Sequence, residues 1–145
     1  MRRRPVRLAR LFGREQRAAS MVEFAIVSPV LFLLVFGLLD AGRFFLEYHH
    51  LANAVREAAR VGAVLPMSTA AERTASTQAI TQHVISNVGL RTMNAQWITV
   101  SEVGTVPAKR VRVTISGVPF TPVTPFFTRR TTLPTIAAEY RHEFQ

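Results

Sequence analysis

One acid stands where acids are costly. Glu23 lies five residues into a stretch, Ala18 to Leu39, that has no other charge, and from Phe24 to Leu39 sixteen residues run without one. At the centre of a bilayer an ionisable side chain costs about 2.5 to 3.5 kcal/mol, so it marks a partner or a function unless it snorkels to the near interface. The remaining reactive side chains form no constellation. His49 and His50 sit beside Glu47, but neighbouring helical residues point about 100° apart and cannot share one ion. Glu139, His142 and Glu143 fall on alternating faces of a strand pattern and read as surface charges, and His83 stands alone. With no cysteine, no hydroxyl–histidine–acid spacing and no glycine-rich phosphate loop, we expect no catalytic residue, no metal and no cofactor. The chain reads as non-enzymatic.

The element that must hold Glu23 is a spanning helix. Twenty-two residues at about 1.5 Å each cover the roughly 30 Å of a hydrocarbon core. Pro29 removes one helical hydrogen bond inside it. A secretory signal needs small residues at a cleavage site just after the apolar core, and the pairs Gly37/Leu39 and Asp40/Gly42 are poor candidates. A helix buried in a soluble core is the other alternative. Seven of the eighteen basic residues, Arg2, Arg3, Arg4, Arg7, Arg10, Arg14 and Arg17, precede the run, and only Arg43 follows it closely. Basic residues stay on the cytoplasmic side, so the N-terminus is expected inside and the C-terminus outside. The same asymmetry argues against a nucleic-acid partner, because the net charge of +9 is concentrated in a tail and not spread over a folded face.

Beyond Asp40 no proline interrupts the chain until Pro66. Phe44, Tyr48, Leu51, Val55, Ala58, Gly62 and Leu65 step by four and three, which is one apolar stripe on a continuing helix. That stripe can pack on the chain's own C-terminal domain or, in its membrane-proximal half, on neighbouring subunits. Residues 70 to 88 carry Ala79, Ile80, Val84, Ile85 and Val88 at helical spacing before Gly89, a stop signal. From Trp97 the period changes to two: Ile98 and Val100; Val111, Val113 and Ile115; Ile136, Ala138, Tyr140 and Phe144. Three antiparallel strands over a helix result. Residues 117 to 130 hold three prolines and three phenylalanines, and no regular structure is expected there. Phe120, Phe126, Phe127 and Arg129-Arg130 could cap the small core, form an exposed patch or touch lipid headgroups.

The stretch Arg17-Ala18-Ala19-Ser20-Met21-Val22-Glu23-Phe24-Ala25-Ile26-Val27-Ser28-Pro29, with His50-Leu51-Ala52-Asn53-Ala54-Val55-Arg56-Glu57-Ala58-Ala59-Arg60-Val61-Gly62-Ala63 further on, resembles the TadE-like family over residues 17 to 63. Its members are pseudopilins, or minor pilins, of the tight-adherence (Flp) pilus apparatus. The resemblance implies an α+β, pilin-like fold: a long N-terminal helix, transmembrane and then external, with a second helix and a small antiparallel sheet. Its parts would be a basic leader (1–18), the transmembrane helix (19–39), the helix continuation (40–66) and a small external domain (67–145). It also implies a prepilin peptidase site at Ala18, Ala19, Glu23 and Phe24, cut between Ala18 and Ala19, although Ala18 stands where the family usually has glycine. Glu23 would then be mature residue five and pair with the free amine of a neighbouring subunit's Ala19. The partners implied are the membrane, other pilin or pseudopilin subunits and the peptidase. The place implied is the cytoplasmic membrane and, within a pilus, the cell surface. The alternative is a bitopic envelope scaffold or ligand-binding protein that never enters a filament.

Overall fold

A computed structural model describes residues 8–89, 93–105, 108–124 and 131–142, with the backbone alone over 8–17. Helix α1 runs unbroken from Leu8 to Ala63, 56 residues, or about 84 Å at 1.5 Å per residue. It begins inside the basic tail, where Leu, Arg, Glu, Gln and Ala are all good helix formers, and it passes through Pro29. From Ala18 to Leu39 every residue is exposed except the half-buried Ser28 and Gly37. Leu38, for instance, is 71% exposed and Ile26 70%. A core helix would hide those side chains, so this segment is not buried in the chain's own core.

The second half of α1 behaves oppositely. Leu51, Ala52, Ala54, Val55, Ala58, Ala59 and Ala63 are buried, and the many alanines bring neighbouring elements close to the helix backbone. Gly62 takes this furthest, since a Cβ there would stand 2.8 Å from Ile80 Cδ1 and 2.9 Å from Val111 Cγ1. Val64 and Leu65 N–H groups bond back to the Val61 and Gly62 carbonyls, tightening the last turn before Pro66.

Helix α2, Ala70–Val88, opens on a capping box: the Thr69 hydroxyl accepts from the Glu72 N–H, and the Glu72 carboxylate accepts from the Thr69 N–H. It ends on Gly89, whose φ of 65° is the left-handed conformation that glycine adopts without strain. Ser76, Ile80, Val84 and Val88 form its buried face.

After a 3₁₀ turn at Ala95–Trp97 come strands β1 (Ile98–Val103), β2 (Arg110–Ile115), β3 (Pro119–Phe120), β4 (Thr131–Thr132) and β5 (Ile136–Arg141). β1, β2 and β5 form an antiparallel sheet in that order, with Val113 of β2 opposite Val100 and Ala138. One face carries the buried Val111, Val113 and Ile115 and packs with α1 and α2 in a single core. On the other face Arg112 pairs with Glu139, its cross-strand partner, an arrangement worth about 0.2 to 1 kcal/mol. The long α1, the second helix and the small antiparallel sheets make the α+β architecture expected from the sequence.

Three expectations need correction. Residues 117 to 130 contain β3, which pairs with β4; Pro119, with no N–H to give, is accommodated because this two-stranded ribbon has open edges. Tyr140 is 42% exposed, because β5 leaves the core toward its end. His142 is no surface charge but 7% exposed. The strand stops at Arg141, the His142 N–H closes on the Lys109 carbonyl at 2.9 Å, and its Nε2 donates to the Leu65 carbonyl at 2.9 Å, tying the chain to the end of α1. Phe126, Phe127, Arg129, Arg130, Glu143 and Phe144 lie outside the described residues.

Candidate functional site

The residues singled out in the apolar segment all lie on the exposed N-terminal half of α1. Ala18, Ala19, Glu23 and Phe24 are solvent-facing in the isolated chain, Phe24 by 66%. Ala19 and Glu23 are one turn apart and share a face. Among the described residues no ion pair reaches Glu23. The stripe beyond is placed differently. Leu51, Val55 and Ala58 are 0% exposed within the chain's own core, Gly62 is the close approach to α2 and β2, and Phe44 and Tyr48 are half-buried against that core. The large apolar side chains that α1 leaves open are therefore those of the apolar segment and its continuation on one side, Phe45 and Leu46, at 60% and 59% exposure.

At the junction of the open and covered halves the structure holds a contact that sequence spacing does not reveal. Asp40, which reads in sequence only as the end of the apolar run, is 5% exposed. A carboxylate so hidden requires donors, and the loop after β3 supplies three. The Val123 N–H donates to Oδ1 at 2.8 Å, the Thr124 N–H to Oδ2 at 2.9 Å, and the Thr124 hydroxyl to Oδ2. Arg43, one turn on, stands 3.8 Å from Oδ1 and places its Cζ 6.0 Å from the Phe120 ring centroid. Phe120 is itself buried and meets Phe44 edge-on, with centroids 5.4 Å apart. The β3–β4 ribbon is thus fastened to α1 by one carboxylate and one aromatic pair. A groove of about 300 Å³ runs between them, lined by Gly37, Asp40, Ala41, Phe44, Phe45, Phe120, Pro122 and Thr131.

The donors give Asp40 a pH signature. The Thr124 hydroxyl first, then the Val123 and Thr124 N–H groups, hold its carboxyl below the ordinary value of 3.8, Arg43 adding to their pull and burial opposing it. A depressed carboxyl stabilises the fold fully above its unfolded value, and that stabilisation is lost as pH falls through the folded value. Thermal unfolding of the full chain in micelles should therefore show the Tm of the wild type falling toward that of Asp40→Asn as pH drops below about 4. Tm curves that stay parallel down to pH 2 would show that the clamp contributes nothing.

Among the described residues no group of three or more His, Cys, Asp or Glu side chains could hold a metal, and only α1 is long and apolar enough to cross a membrane. The class defined is an α+β domain built on the second half of a helix whose first half is a single-pass membrane anchor in kind. The family comparison falls on that helix: residues 18–60 match the family model described as TadE-like protein, in agreement with the resemblance carried by residues 17 to 63. That family points to the Tad pilus apparatus. No curated protein and no solved structure matches the chain.

Proposed function

We propose that this chain is a non-enzymatic pseudopilin-type component in the assembly of a tight-adherence (Flp, type IV-like) pilus or related secretion apparatus. It is inserted with the N-terminus in the cytoplasm and the α+β domain outside. The observation that carries the reading is the division of α1: residues from Leu51 to Ala63 supply one face of the chain's own core, while from Ala18 to Leu39, inside the matched segment, every residue but the half-buried Ser28 and Gly37 is exposed and Glu23 is the single acid. Lipid satisfies the apolar side chains but not Glu23. A neighbouring subunit's amine would, because a buried carboxylate is tolerable when paired and hydrogen-bonded. On this reading the prepilin peptidase cuts between Ala18 and Ala19, leaving the Ala19 amine free.

The test is the mass of the mature protein recovered from cells that hold the peptidase. The expected N-terminus is Ala19; an intact Met1 or Arg2 terminus would remove the processing step and with it the Ala19 amine.

One observation favours a second reading, an envelope scaffold or ligand-binding protein that stays out of the filament. The heptad stripe that a partner helix would recognise is occupied internally, with Leu51, Val55 and Ala58 fully buried. Co-purification with pilus subunits separates the two.

A further inference from the structure

We infer that the β3–β4 ribbon is a membrane-docking surface, its loop residues Pro122 and Val123 held in the lipid headgroup layer alongside Phe45 and Leu46 of α1. The inference rests on the reading of α1 as a spanning helix and adds where the folded domain meets the bilayer. Counting charges ends the apolar run at Leu39, because Asp40 and Arg43 follow. In the fold those charges are largely spent. Asp40 has three donors and 5% exposure. Arg43 sits beside Asp40 and Glu47 and against the Phe120 ring. Apart from the Arg43 side chain, still 46% exposed, the large exposed side chains on the open side at this level are apolar: Leu38, Leu39, Phe45 and Leu46 on the helix, and Val123, 64% exposed, on the ribbon.

The position of the ribbon along α1 names the occupant. The groove under Phe120 and Pro122 reaches Gly37, which lies inside the spanning segment, so the ribbon cannot stand clear of the bilayer while Gly37 is within it. Leu46 lies seven residues beyond Leu39, or about 10 Å along the axis. Headgroup layers occupy roughly 5 to 8 Å on each side of the hydrocarbon core. Val123, whose N–H is bonded to Asp40 one residue past Leu39, is therefore at interfacial depth, where apolar side chains dip below the headgroups. The side chains of Phe45 and Leu46, tilted toward the helix N-terminus, lean back to the outer edge of the same layer. The bilayer is the surface continuous with this face.

The chain has no cysteine, so single substitutions carry a label without competition. Full-length protein with Leu31→Cys, Leu46→Cys, Val123→Cys or Asn53→Cys would be labelled with an environment-sensitive fluorophore. Each would be reconstituted in phosphatidylethanolamine/phosphatidylglycerol vesicles and quenched by nitroxide lipids and by aqueous iodide. The expected result is severalfold stronger quenching by shallow nitroxide at residues 46 and 123 than at residue 53, and reduced iodide quenching at both. Adding Asp40→Asn should expose the residue 123 label to iodide while leaving residue 46 unchanged. If the Leu31 label reports hydrocarbon while 46 and 123 report water, the docking inference falls and the membrane reading stands. A Leu31 label in water sinks both. Protection that appears only as protein density in the vesicles rises would assign the face to a second copy and overturn the proposal.

Discussion

Cells carrying Glu23→Ala are expected to insert the protein as well as wild type, or better, and to lose assembly by tenfold or more. The two halves have separate causes. Removing the acid lifts a cost that reaches about 2.5 to 3.5 kcal/mol at the bilayer centre, so the membrane-bound level should not fall. Removing one partner of a desolvated charge pair costs about 2 to 5 kcal/mol, and every 1.4 kcal/mol is about a factor of ten in an association constant. Glu23→Gln, which keeps hydrogen bonding without the charge, should fall between. Membrane fractionation and co-purification with pilus subunits read the two effects independently. Normal co-purification of the alanine variant would show that Glu23 holds no neighbour.

The second large effect is on folding. Leu51→Ala removes a side chain with no exposure from the place where α1 meets the core, and such a cavity costs about 2 to 5 kcal/mol. For a domain of this size each kcal/mol lowers Tm by about 4 to 8 °C. A drop of at least roughly 8 °C is therefore expected in micelles, whereas Asn53→Ala, two residues on and exposed, should move Tm little. Equal shifts for the two would mean that the stripe faces a partner and not this chain's own domain. Because the spanning half of α1 makes no contribution to that core, Leu51→Ala should leave membrane insertion intact.

The parts of the fold legible in sequence are those set by periodicity. The stripe from Phe44 to Gly62 follows a period of 3.6 and the alternation in Val111, Val113 and Ile115 a period of 2, and beside them the apolar run shows by its length and the cap at Gly89 by its residue type. Helix α2 is expected over residues 70 to 88 and found at Ala70–Val88. What stays hidden is long-range and polar. Asp40 and Thr124 are joined across 84 positions, and neither residue type nor neighbour announces it. The three prolines from 117 to 130 conceal β3, because two paired residues are too short to leave a period. His142 reads as a surface histidine because the alternation of β5 ends one residue before it. As for the candidate site, Glu23 stands out by its cost in an apolar run, while the clamp that positions the domain against that run needed the fold.

Pairing at Glu23 and docking at Val123 both require that the membrane carry α1 with the domain on its far side. A phosphatase fused after Pro66, which leaves the entire apolar segment and its arginine tail in place, reports that directly in intact cells. Full activity outside the cytoplasm is the predicted result. A fusion active only in the cytoplasm would contradict the account, since neither a neighbour's Ala19 amine nor the headgroup contact at Val123 could then exist as described.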